Sequence, residues 1–125
     1  MIGYTMVGTN DLVKATAFYN EVLGVLGLQM TYNEGREVGY SSAGNLVEFY
    51  VCTPFNQKPA TLGNGSMVAF QVHSKEIVDA VHQKALELGG VNEGSPGPRP
   101  ADGNVYYCYF RDLDGNKICI YSKMD

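Results

Sequence analysis

Apolar positions along the chain follow two rhythms in turn, and the whole sequence of rhythms is written twice. Residues 2–8 read as a strand. Leu12, Ala15, Tyr19, Val22, Leu23 and Leu26 then recur at helical spacing. Asn10 or Asp11 can cap this helix, because a short side-chain acceptor satisfies the free N–H groups of the first turn, and Gly24 and Gly27 mark its exit. Three strand-like runs follow at about 28–34, 37–43 and 45–52, separated by Asn33-Glu34-Gly35 and Gly44-Asn45 turn signals. After a polar, proline-bearing connection the plan starts again. Residues 66–73 read as a strand, and Ser74 can cap a helix whose apolar face is Ile77, Val78, Val81, Ala85 and Leu88. Gly89-Gly90 ends it, a long Gly/Pro loop runs from Asn92 to Asn104, and strands at about 104–111 and 116–122 complete the pattern.

The two copies can be laid over each other residue by residue. Gly44-Asn45-Leu46-Val47-Glu48-Phe49-Tyr50 matches Gly115-Asn116-Lys117-Ile118-Cys119-Ile120-Tyr121 at Gly, Asn and Tyr, with an apolar residue kept between them. The helices match with Phe18 to Leu23 over Val81 to Leu86. The second copy is longer, and the extra residues fall most simply in the Gly/Pro loop. The expected fold is therefore α+β: one domain over 1–125 made of two pseudo-symmetric βαβββ modules, about 1–52 and about 66–125, joined by a linker at 53–65.

Alternation assigns faces. Val47, Phe49 and Val51 form one apolar set, with Leu46, Glu48, Tyr50 and Cys52 opposite. Val68, Phe70 and Val72 oppose Met67, Ala69 and Gln71, and Ile118 and Ile120 oppose Lys117, Cys119 and Tyr121. Each helix carries one apolar stripe and is expected to cover the uniformly apolar face. The other face mixes Glu, Gln, Cys, Met and Tyr, which suits the lining of a cleft for a small molecule.

Composition narrows the field. A 125-residue chain with 45% hydrophobic residues supports a soluble core. A net charge of -4 and the lack of a basic run argue against a nucleic-acid partner. No apolar run approaches a membrane span, and the N-terminus lacks the features of a signal peptide. Cys52, Cys108 and Cys119, odd in number and inside strand-like runs, fit reduced, inert thiols in a cytoplasmic protein.

Several stretches together carry a resemblance. Asn10-Asp11-Leu12 with Ala17-Phe18-Tyr19 and Val22-Leu23-Gly24, then Gly63-Asn64-Gly65-Ser66-Met67-Val68-Ala69-Phe70, resemble the first helix and central strand of the vicinal oxygen chelate superfamily. Pro96-Gly97-Pro98-Arg99-Pro100, Val105-Tyr106-Tyr107 and Phe110-Arg111-Asp112-Leu113-Asp114-Gly115-Asn116 resemble its C-terminal signature. That superfamily comprises glyoxalase I, bleomycin-resistance proteins and extradiol dioxygenases. The resemblance implies a cupped mixed sheet with helices on its outer face and a cleft inside. It also implies that Tyr4, Glu48, Met67 and Cys119 stand where metal-dependent members hold a divalent cation. Members usually have His at the first and third of these positions and Glu at the last; only Glu48 matches. No cofactor is expected and a divalent metal is not expected, because phenol and thioether are poor ligands for a hard catalytic ion. His73 at a strand end and His82 on a helix, read as surface or partly buried, do not restore the set.

The functional expectation is a small-molecule binding protein that holds an aromatic or amphipathic ligand in a tyrosine-lined cleft, with bleomycin-resistance-type sequestration as the family model. Candidate ligand-binding residues are Tyr4, Tyr50, Met67, Gln71, Arg99, Tyr107, Tyr109, Cys119 and Tyr121. Among them Arg99 is a candidate clamp for an anionic group. The alternative is a glyoxalase-type lyase or isomerase. Glu48, in a partly dry cleft, would be its general base, with tyrosine hydroxyls stabilising a developing enolate. A metal-dependent dioxygenase or lyase with an unusual ligand set is a third reading. The resemblance further implies a homodimer.

Overall fold

The computed structural model describes residues 1–124, so the last residue of the expected second module, Asp125, lies outside the described residues. The chain divides into two compact units with the boundary between Leu62 and Gly63. Each is a βαβββ module with its own mixed four-stranded sheet.

In the first unit the elements are β1 (Thr5–Gly8), α1 (Leu12–Val25), β2 (Gln29–Asn33), β3 (Glu37–Ser41) and β4 (Phe49–Cys52). The Asp11 side chain accepts from the backbone N–H of Lys14, which fixes the first turn of α1. The helix stops at Leu26, and Gly27 follows at φ +90°, a conformation that costs an L side chain and is free for glycine. The strand order is β1-β4-β3-β2, with β1 parallel to β4 and the other pairs antiparallel. Phe18, Tyr19, Val22 and Leu23 of α1 are buried with Val38, Tyr40, Phe49 and Val51 of the sheet. Tyr40 keeps its hydroxyl satisfied inside this core by donating to Asn20 Oδ1 at 2.9 Å. Residues 53–62, read from the sequence as connection, belong to this unit. Asn10 ties them down, accepting from Ala60 N at 2.7 Å and donating to Ala60 O at 3.1 Å.

The second unit repeats the architecture: β5 (Val68–Gln71), α2 (Lys75–Glu87), β6 (Val91–Pro98), β7 (Val105–Arg111) and β8 (Lys117–Lys123), in the order β5-β8-β7-β6. Ser74 caps α2 by accepting from Ile77 N. Val78, Val81 and Ala85 are buried with Cys108, Phe110, Ile118 and Ile120. His82 belongs to this interior as well: it is 6% exposed, with Nε2 2.9 Å from Asn92 Oδ1. It is therefore a packed residue, as is its counterpart Tyr19 in the other copy.

Two expectations change here. The Gly/Pro loop from Asn92 is for most of its length a strand, β6, on the sheet edge. An edge strand tolerates proline, and the register shifts between Asn92 and Gly94 and again between Gly94 and Gly97. Pro96 falls inside the second irregularity, so its missing N–H is not needed in the ladder. The second change concerns the run from Leu46. The assigned strand begins only at Phe49, and the segment before it folds back, so that Val47 lies over Gly39. Gly39 pairs with Tyr32 and Tyr50, so Val47 is on the tyrosine face and not on the face covered by α1.

Candidate functional site

Each unit carries part of the expected lining. In the first unit Met6, Tyr50, Gly39 and Tyr32 are successive cross-strand partners and share one face. Tyr4 and Tyr50 meet edge to face with centroids 5.0 Å apart, and Tyr32 meets Tyr50 at 5.8 Å. Tyr4 is 61% exposed. Glu48 is exposed, which corrects the partly dry setting expected for it. Its backbone stays in register, accepting from Thr5 N and donating to Tyr40 O. Its carboxylate accepts from Ser42 Oγ at 2.9 Å and Asn45 Nδ2 at 3.3 Å, both in the folded-back segment. The turn that precedes Glu48 therefore holds its side chain.

In the second unit the face opposite α2 carries a row of three tyrosines. The ladder aligns Tyr107 with Tyr121 and Tyr109 with Cys119, while β5 aligns Ala69 with Cys119 and Gln71 with Tyr121. Tyr107 and Tyr109 stand parallel, centroids 6.0 Å apart and 8° between planes. Tyr107 and Tyr121 are 5.7 Å apart at 29°. The Tyr121 hydroxyl donates to Gln71 Oε1 at 3.4 Å. Met67, one residue before β5, is exposed. Five of the expected residues, Gln71, Tyr107, Tyr109, Cys119 and Tyr121, are thus brought together on one sheet face.

Two of the expected residues behave differently from their sequence reading. Cys119 is 1% exposed, and burial pushes its thiol up to about 11. It is neither presented to a ligand nor available as a thiolate. Arg99 donates from Nη1 to the carbonyls of Tyr107 (2.9 Å) and Gly97 (3.2 Å) and from Nη2 to that of Ser95 (2.7 Å). Its guanidinium carbon lies 5.2 Å from the Tyr109 ring centroid. The guanidinium fork therefore fastens β6 to β7 beside the tyrosine row. Lys117 was missed as a candidate: its Nζ also lies 5.2 Å from the Tyr109 centroid. Alternation had already put Lys117 on this face; its proximity to Tyr109 depends on the cross-strand register.

Comparison with known proteins agrees with this architecture. A family model described as the glyoxalase/bleomycin resistance protein/dioxygenase superfamily matches residues 1–120. The chain belongs to this family. It is 38% identical to a glyoxalase/bleomycin resistance protein from Albidiferax ferrireducens T118 over 98% of both chains, with a TM-score of 0.88. The fold also matches the fosfomycin resistance protein FosX of Listeria monocytogenes, at 21% identity, a TM-score of 0.70, and 99% and 93% of the two chains. A lactoylglutathione lyase from Agrobacterium tumefaciens matches at 23% identity and a TM-score of 0.68, over 98% and 92%. No curated protein matches the chain by sequence. Among the described residues, no helix is long and apolar enough to cross a membrane.

Proposed function

We propose that this chain is a metal-independent member of its family that binds a small aromatic molecule on the tyrosine face of its second unit. The observation that carries this reading is the row Tyr121, Tyr107, Tyr109. Three half-buried rings stand side by side on the sheet face that no helix of the unit covers. Rings fixed in this way offer contact area at little further entropy cost, and their edges and hydroxyls suit an aromatic or amphipathic partner.

Donor chemistry supports the metal-independent part. At the family's metal positions Cys119 holds its proton to about 11, Met67 offers a thioether, and Tyr4 packs its ring against Tyr50. Only Glu48 is a hard anionic ligand, so the set does not fit a catalytic divalent ion. Among the described residues no three His, Cys, Asp or Glu side chains group so as to hold a metal.

The test is binding to a panel of fused-ring aromatics, followed by ligand-observed NMR and calorimetry. Tyr107→Ala and Tyr121→Ala should each weaken the best ligand by about 0.5–1.5 kcal/mol. Tyr106→Phe, on the α2 side, should leave it unchanged. Equal affinity in all three variants would remove the face from consideration.

A second reading keeps Glu48 as a general base in a lyase or isomerase reaction. It is favoured by one detail: both hydrogen bonds to the carboxylate fall on Oε1. Turnover that vanishes in Glu48→Gln while binding persists would select it. A homodimer is part of the proposal, supported by Ile2, Tyr4 and Met6, which are exposed along the edge strand β1 and just before it. So is a cytoplasmic setting, supported by three buried free thiols.

A further inference from the structure

The tyrosine row ends at Tyr109, and Tyr109 stands among cations. Arg99 and Lys117 each lie 5.2 Å from its centroid. Arg111, the cross-strand partner of Lys117, is on the same face. Among the described residues one carboxylate is ion-paired to this group, Glu93, whose Oε1 lies 2.8 Å from Arg111 Nε. Arg111, and more weakly Lys117, hold the Glu93 carboxyl below its ordinary value. Among the described residues Lys117 makes no ion pair. The partners of Arg99 are neutral carbonyls, which fix the guanidinium without cancelling its charge. In a chain of net charge -4, this end of the face keeps a local excess of positive charge.

Sterics bear on how a ligand would sit. The rings are 6.0 and 5.7 Å apart. A further ring needs about 3.5 Å on each side, so it does not fit between them. It would lie across their outer edges, where the positive rims of the tyrosines meet a ligand π face. Gly94 shapes the charged end: a Cβ there would come 2.8 Å from Tyr109 Cδ2 and 3.2 Å from Arg99 Nη2. Glycine lets the guanidinium sit directly beside the ring.

We infer that the ligand of this face is an aromatic carboxylate, its ring across Tyr107 and Tyr121 and its acid group at the Tyr109 end, facing Lys117 and Arg99. This inference rests on the aromatic-binding reading above and adds the acid. The chemistry is that of ring stacking joined to a charge-assisted contact. Lys117 supplies mobile hydrogen-bond donors, while Arg99, already tied to three carbonyls, supplies fixed charge.

Calorimetric titration with 2-naphthoate and with 2-naphthamide separates the two claims, since the probes share a shape and differ in charge. Naphthoate should bind about five- to tenfold more tightly. That preference should fall as salt is raised to about 1 M, where the Debye length is about 3 Å. It should shrink in Lys117→Met, survive in Lys117→Arg, and be unaffected by Lys84→Met on α2. Equal affinity for both probes would overturn the acid and leave the aromatic reading standing. Binding of neither would overturn both.

Discussion

Val47 occupies the space that a side chain on Gly39 would need. A Cβ built on Gly39 would stand 2.7 Å from Val47 Cγ1 and 2.9 Å from Cγ2, with Tyr32 Cβ at 3.2 Å. Gly39 is fully within β3, and no positive φ is involved, so the requirement is for room and not for backbone freedom. This contact lets the segment before β4 fold back over the sheet and presents Ser42 and Asn45 to Glu48.

Gly39→Ala should therefore destabilise the protein by about 1–3 kcal/mol, the usual range for overpacking. Combined with Val47→Ala, the cost should be less than the sum of the single changes, because both act on one contact. Urea unfolding of the four proteins measures this; strict additivity would mean that Val47 does not press on Gly39.

Asp112 is the anchor of the last hairpin. It is 4% exposed, its Oδ1 accepts from Asp114 N and Asn116 N at 2.9 Å, and its Oδ2 accepts from Asn116 Nδ2 at 2.9 Å. Asp112→Ala would leave half-buried donors without their charged acceptor and should cost about 2–3 kcal/mol. Asn, which keeps one acceptor oxygen, should recover part of that. A loss below about 0.5 kcal/mol in the Ala variant would contradict the assignment.

Arg99→Lys should behave much like Arg99→Ala in thermal unfolding. A lysine cannot place a planar fork on the carbonyls of Ser95, Gly97 and Tyr107. Amide exchange should rise first along β6. Full rescue by lysine would show that charge alone matters at this position.

Stability should fall as pH rises above about 9. Burial raises Cys119 to about 11, Cys108 to about 12 and Tyr40 to about 12. Between the unfolded and folded values the unfolded chain loses these protons and the folded chain keeps them, so deprotonation favours unfolding. The stabilising effect is complete below pH 9 for the thiols and below pH 10 for Tyr40, and is lost towards pH 11–12. Denaturant midpoints across pH 8 to 11 test the sign. In a Cys108→Ala variant the decline should be shallower.

Local rules reached much of this architecture. Alternation placed Ala69 and Gln71 against Val68 and Phe70, and Lys117, Cys119 and Tyr121 against the two isoleucines; the registers agree. Asp11 and Ser74 are caps because their chemistry admits few other roles at those positions. What escaped depends on partners distant in the chain. Strand β6 is full of residues that break local structure, and it exists because β7 offers a ladder to an edge that can bulge. Val47 obeys the alternation of its own run until Gly39 opens a place on the other side. Arg99 looked like a free clamp because its acceptors are backbone carbonyls, which no residue type announces.

In both units the first strand pairs with the last, Thr5 with Phe49 and Val68 with Ile118, and these are parallel pairs at a sheet edge. No other ladder in either unit joins residues so far apart along the chain. The β2–β3–β4 and β6–β7–β8 meanders can close through short loops, whereas β1 and β5 find their partners only across a helix and two strands, at a greater loop-closure cost. These two strands are therefore expected to dock last during folding and to open first in native-state exchange. Tyr4 and Met67 immediately precede these two strands, so an opening of either edge would release an exposed apolar side chain of the proposed lining before any other part of its sheet.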